Sequence, residues 1–258
     1  MLLVGVMRSI FLSVALAVVS VGASAQAIST PQQLIAAMHD RYASKWYHTL
    51  TFEQKSVTHK ADGTDSTELW HEALMLPGRL RIDIGDRTAG NGMLFSNSHL
   101  YIYKDGKLAN QRDFIHPLLV LGFDVYKQPV DKTMQQLKDL NVDLASMHEE
   151  NFEGRPTYVV GAKQGDLQTL QFWIDKERLY FVRLLRPSEK QAGAVQDVRF
   201  DDYKQVEGGG WLAERVAIIA EGKVVFEELY SDIKINPPLS DDLFNPEQFF
   251  QAGKPAAK

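Results

Sequence analysis

The chain has 258 residues, 28 basic against 33 acidic side chains for a formal charge of −5, and no cysteine. Such a mixed, mildly acidic balance leaves no basic footprint for nucleic acid or for an anionic lipid surface. Without cysteine neither disulfides nor an acylated cysteine anchor is expected, so the core alone must hold the fold; a chain of this size buries roughly 70% of its unfolded surface.

Residues 1–25 read as a signal peptide. Arg8 precedes an apolar run over 10–21, and Ala23-Ser24-Ala25 and Ala25-Gln26-Ala27 both supply small residues at cleavage spacing. Cleavage is expected after Ala25 or Ala27. The run falls short of the roughly 18 to 20 apolar residues that span a bilayer as a helix. Next, Thr30-Pro31-Gln32-Gln33 predicts a helix start, with Thr as N-cap, Pro at the first position and Gln three residues after the cap. Leu34, Ile35, Met38 and Tyr42 continue it as one apolar stripe, to an end near Lys45.

From Trp46 the period shortens. Strands are expected over 47–59 and 66–75, divided by Ala61-Asp62-Gly63-Thr64, and over 79–84, where Leu80, Ile82 and Ile84 alternate with Arg79, Arg81 and Asp83. Further strands are expected over 92–95, 100–104 and 107–111, the last two joined by the hairpin signal Asp105-Gly106. Residues 116–126 form a compact apolar stretch with Pro117 and Gly122, and 131–140 predicts a second helix with Met134, Leu137 and Leu140 on one side. Strands then resume over 144–152, 155–162, 167–175, 179–186, 194–206, 211–220 and 223–235, with turns at Glu153-Gly154, Gly165-Asp166, Gly208-Gly209-Gly210 and Glu221-Gly222. Residues 28–250 are expected to make one domain, and 251–258 a flexible tail.

The expected fold class is mainly β. The short turns require antiparallel pairing, and about a dozen strands make a sheet wide enough to curl into an incomplete β-barrel, with helices available to cover the opening. A β-sandwich would show many of the same strands.

Four stretches resemble the LolA/LolB-like superfamily, the periplasmic lipoprotein-sorting carriers of Gram-negative bacteria. They are Leu50-Thr51-Phe52-Glu53-Gln54-Lys55, Leu76-Pro77-Gly78-Arg79-Leu80-Arg81, Asn97-Ser98-His99-Leu100-Tyr101-Ile102-Tyr103 and Leu239-Ser240-Asp241-Asp242-Leu243-Phe244. The resemblance implies an incomplete barrel with a helical lid that binds acyl chains, and a freely diffusing, monomeric carrier in the periplasm. Implied partners are an acylated lipoprotein or lipid cargo, an inner-membrane exporter and an outer-membrane acceptor. Leu76 stands where the family commonly has a basic residue linked to lid closure; Arg79 or Arg81 are the candidates to replace it at the lid or rim. The receptor branch carries a lipidated cysteine that this chain lacks, which favours a carrier.

Candidate cavity residues on the alternating strands are Leu80, Ile82, Ile84, Met93, Phe95, Leu170, Phe172 and Ile174. Period 2 identifies a buried face without deciding whether it lines a cavity or packs a dry core. Phe114, Ile115, Leu118, Leu119 and Leu121 fit a lid or portal, or equally a buried helix. No catalytic centre, metal site or cofactor is expected. His71 and Glu72 are strand neighbours that point to opposite faces, His148-Glu149-Glu150 is expected to fail as a shared site for the same reason, and no nucleophile elbow or phosphate-binding loop occurs. The competing reading is a non-catalytic interaction or sensor module of the cell envelope on the same scaffold, engaging a partner through strand edges or Phe249-Phe250.

Overall fold

A computed structural model describes residues 27–188 and 193–252. The expected leader over 1–25 lies outside them, as does all but the first two residues of the expected tail.

Helix α1 (Pro31–Tyr42) starts on the capping box anticipated from the sequence. The Gln33 N–H donates to Thr30 Oγ1 at 3.2 Å, and the Thr30 N–H donates to Gln33 Oε1 at 3.2 Å. Thr30→Ala should therefore cost about 1 kcal/mol of stability in a urea titration; no change would mean that α1 is held by packing alone.

Six strands follow: β1 (Thr49–His59), β2 (Asp65–Met75), β3 (Arg79–Ile84), β4 (Gly92–Ser96), β5 (His99–Lys104) and β6 (Lys107–Asp113). A helical segment interrupts them, made of α2 (Pro117–Gly122), a 3-10 turn (Asp124–Tyr126) and α3 (Val130–Asp139). Seven more strands complete the sheet: β7 (Met147–Phe152), β8 (Arg155–Val160), β9 (Gln171–Asp175), β10 (Phe181–Pro187), β11 (Val195–Gln205), β12 (Trp211–Ala220) and β13 (Lys223–Ile235). The chain ends on 3-10 turns at Asp241–Phe244 and Pro246–Gln248 and the short α4 (Phe249–Ala252).

Among the described residues all thirteen strands belong to one sheet in the order β6-β5-β4-β3-β2-β1-β13-β12-β11-β10-β9-β8-β7. Every pairing is antiparallel. Two meanders join where β1 meets β13, and β6 and β7 remain as unpaired edges, so the barrel is open. Several hairpin tips place both central residues at positive φ, as at Asp105 (50°) and Gly106 (72°) or Glu221 (52°) and Gly222 (75°). Those angles match the twist of the flanking strands.

Two expected strands begin late because aspartates spend the preceding residues on capped turns. Asp143 accepts from the Ala145 N–H (3.0 Å) and Ser146 Oγ (2.6 Å), so β7 starts at Met147 rather than at 144. Asp166 does the same for Gln168 and Thr169, and β9 starts at Gln171 rather than at 167.

The largest cluster of buried side chains joins the concave face of the sheet to α1, α2 and α3. One half of the trough is filled. Tyr42 donates its hydroxyl to the Arg178 carbonyl, and Tyr126 hydroxyl accepts from the Phe181 N–H at 3.1 Å. Trp46 stacks on Tyr126 at 3.7 Å between ring centroids. These contacts seat the helices against β9 and β10. A second cluster, with Phe152, Trp173 and Tyr180, covers the convex side there, so β9 is buried on both faces. A third, with Leu94, Tyr103, Phe244 and Phe249, lies under the C-terminal segment on the convex side of β4 and β5.

Candidate functional site

The unfilled half of the trough lies between β1–β5, β11–β13 and the segment around α2. Here a cavity of about 280 Å³ remains open. Its floor is built by register. Glu72 of β2 stands opposite Ile82 of β3, Leu74 opposite Leu80, and Leu80 and Ile82 stand opposite Phe95 and Met93 of β4. Side chains that share a pleat share a face, and all of these line the cavity. Phe200 and Ile218 close one wall, and Tyr230 and Glu228 of β13 continue the floor beyond β1.

Phe114, His116, Pro117, Leu118, Leu119 and Phe123 cover the floor. Pro117 opens α2 and His116 caps it, its Nδ1 accepting from the Leu119 N–H at 3.2 Å. Burial, assisted by the nearby Arg186 charge, pushes the His116 pKa down to about 4. The neutral ring packs edge-on to Phe95 at 4.8 Å and to Phe114 at 5.9 Å. The stretch around α2 is thus the apolar cover of the cavity.

The sequence-derived wall residues divide. Leu80, Ile82, Met93 and Phe95 line the cavity together with Leu118 and Leu119. Ile84 and Leu170 are partly buried against the core outside the cavity lining, and Phe172 and Ile174 are fully buried in it, on the half of the trough that the helices fill. Arg79 and Arg81, expected at a lid or rim, sit on the convex face. Arg79 pairs with Asp241 and lies over the Phe244 ring. Arg81 pairs with Asp83 beneath Phe249. Strand alternation requires this: with Leu80 and Ile82 turned to the cavity, residues 79 and 81 point the other way. Leu76 is a buried core residue preceding a cis peptide bond to Pro77.

The polar part of the cavity did not figure among the candidate residues. The Glu228 carboxyl accepts from the Tyr230 hydroxyl at 2.8 Å, and burial pushes its pKa up to about 7. Glu72 is only 8% exposed; burial, and secondarily the Glu228 charge, hold its carboxyl well above the usual range. Between their strands, on β1, Gln54 Nε2 donates to Ser56 Oγ at 2.8 Å. The sequence did carry a signal: Trp70, Glu72 and Leu74 on β2, and Phe226, Glu228 and Tyr230 on β13, each place a carboxylate in an otherwise hydrophobic alternation.

His71 lies on the opposite face from Glu72, its Nδ1 3.6 Å from Glu53. His148 Nε2 is 3.3 Å from Glu150, two residues on and on the same face. Among the described residues no group of three or more potential metal ligands converges, and no helix is long and apolar enough to cross a membrane.

No family model matches the sequence, and no curated protein matches it. Solved structures do match the fold. An outer-membrane lipoprotein-sorting protein domain, so assigned, from Vibrio parahaemolyticus superposes with a TM-score of 0.57 at 15% identity, covering 83% of this chain and 95% of the other. A DUF1329 family protein from Desulfovibrio piger gives 0.53 at 15% identity, over 84% and 96% of the two chains. A LolA superfamily protein from Nitrosomonas europaea gives 0.52 at 11% identity, over 85% and 99%. At these identities the likeness is one of architecture: this chain has the mainly β, open-barrel LolA-like fold.

Proposed function

We propose that this protein is a periplasmic carrier or chaperone, which holds lipoprotein acyl chains or another apolar ligand in the cavity beneath α2 for delivery to the outer membrane. Residues 28–250 would form the carrier domain behind a cleaved leader, and the protein would act without catalysis. One observation supports this most directly: half of the concave trough is packed solid, whereas the other half keeps an open cavity with walls formed by Leu80, Ile82, Met93, Phe95, Leu118 and Leu119. Apolar concave sites with a few polar groups are what ligands of this class occupy. The fold shared with a lipoprotein-sorting domain and a LolA superfamily protein points the same way. An inner-membrane exporter and an outer-membrane acceptor are the implied donor and recipient.

Purified protein should take up a hydrophobic fluorophore and should carry lipid detectable by mass spectrometry after gentle extraction. Met93→Trp, which fills the floor opposite Ile82, should weaken dye binding by roughly tenfold or more, the worth of one well-buried apolar contact. The melting temperature should move little. Wild-type protein that binds neither dye nor lipid would remove the carrier reading.

A further inference from the structure

Resting on the carrier reading, we propose that Glu72 and Glu228 form a polar subsite in the cavity floor that receives a primary ammonium group of an amphiphilic ligand.

The geometry separates this pair from ordinary surface acids. β2 and β13 flank β1, and Glu72 and Glu228 both line the cavity from these two strands. Glu72 is more than nine-tenths buried, and among the described residues neither a hydrogen bond nor a positive charge offsets its burial; what acts on it is loss of water and a second carboxylate. Glu228 receives one hydrogen bond, from Tyr230, which leaves acceptor capacity free. A carboxylate buried for structural reasons is normally saturated with donors or paired with a cation, because leaving it bare costs several kcal/mol and an apolar residue of similar size would be cheaper. Arg81 with Asp83, on the convex face of the same sheet, shows that arrangement. In the floor, among the described residues, the Tyr230 hydroxyl is the one donor to this pair, and the open space beside it is the cavity itself.

The chemistry of the missing group follows. Ionised carboxylates only accept hydrogen bonds, and two of them repel an anion. An ammonium brings three donors and the opposite charge, and its charge-assisted bonds are about twice as strong as neutral ones. Arg186 lines the same cavity but is engaged elsewhere, its Nε donating to Gln196 Oε1 at 2.8 Å. His116 above the floor is held neutral and uses Nδ1 to cap α2, and the Tyr230 hydroxyl is spent on Glu228. Apolar walls take the chain of the ligand, and the carboxylate pair takes its amine.

Displacement of a bound fluorophore by dodecylamine, dodecanol and dodecanoate, each below its micellar concentration and at about pH 8, tests this on the full mature chain. Dodecylamine should compete at a concentration at least roughly tenfold lower than dodecanoate, the ratio expected for a single charge-assisted hydrogen bond. Glu72→Gln and Glu228→Gln, which keep shape but remove charge, should each bring that ratio toward one. Dodecanoate binding as tightly as dodecylamine overturns the subsite, as does an amine preference that survives in the double variant. Were the Gln variants to misfold, the amine-to-carboxylate ratio of the wild-type chain would still decide. Dye uptake without amine preference removes the subsite alone; no uptake of the dye or of any ligand in the series removes the carrier reading and the subsite with it.

Discussion

Replacing Arg81 with Ala should destabilise the fold by about 3–5 kcal/mol, the penalty for leaving one partner of a buried ion pair alone. Arg81 is 1% exposed and Asp83 is 3% exposed. They meet through two hydrogen bonds, Nε to Oδ2 at 2.8 Å and Nη2 to Oδ1 at 2.7 Å. The guanidinium lies 3.9 Å from the centroid of the Phe249 ring and donates to the Phe249 carbonyl at 2.9 Å and the Leu243 carbonyl at 3.3 Å. One side chain thereby fastens the C-terminal segment to the convex face. Gly92 permits the close approach, since a Cβ there would stand 2.1 Å from the Ile82 carbonyl oxygen and 2.9 Å from the Phe249 ring. Loss of Arg81 would leave Asp83 buried with, among the described residues, only Arg87, 4.0 Å away, as cation. Urea unfolding gives the magnitude, and limited proteolysis should show early cleavage near residues 243–249. The double replacement Arg81→Met with Asp83→Leu should recover most of the loss, because it removes both charges together. A single-variant cost below about 1 kcal/mol would contradict the assignment of a buried ion pair.

The second large effect is a dependence of stability on pH. Glu228 has its folded-state pKa raised from 4.5 to about 7, chiefly by burial. Within that window the native protein keeps a proton that the unfolded chain releases, so stability is full below about 4.5 and falls as pH rises toward 7, then levels off. Glu72 shifts in the same direction, and so does Asp124, raised to about 7 by burial against the opposing bond from the Gly78 N–H. Glu228→Gln should accordingly match the wild type near pH 5 and exceed it near pH 8 by roughly 2 to 3 kcal/mol, from about 1.4 kcal/mol per pKa unit with allowance for water in the cavity. Removing the Glu228 charge also relieves Glu72, while Tyr230, His116 and Arg186 face the same space and stay in place. Thermal melts of both proteins at the two pH values read this directly. Equal stability differences at pH 5 and pH 8 would show that Glu228 is solvated in the folded state.

Most of the local structure was legible because it is set by near neighbours. The Thr30 capping box, the alternation of Leu80 and Ile82 with Arg79 and Arg81, and the Asp105-Gly106 hairpin depend on residues a few positions apart. Strand starts were misplaced where Asp143 and Asp166 wrap short turns, because such capping competes with strand hydrogen bonding and leaves no mark in hydrophobic period. Half the wall residues were placed in the cavity by alternation alone. Phe172 and Ile174 were not, although their strand has the same pattern, since period 2 reports burial and not what fills the buried side.

Sequence alone determined the antiparallel succession of strands, the two longer helices and the alternation of side chains on strands such as β3, since each is a property of a short window. Tertiary structure decided which inward set meets helix and which meets open space. Trp46, Tyr126 and the end of α1 plug the trough over β9 and β10, whereas the cavity beneath α2 stays open over β2 to β4. It also decided that Arg79 and Arg81 bind the C-terminal segment, and that Glu72 and Glu228 line one cavity from the two strands that flank β1, Glu72 beside Phe52 and Glu228 beside Ser56. Long-range pairing of β1 with β13 creates that proximity, and no local spacing encodes it.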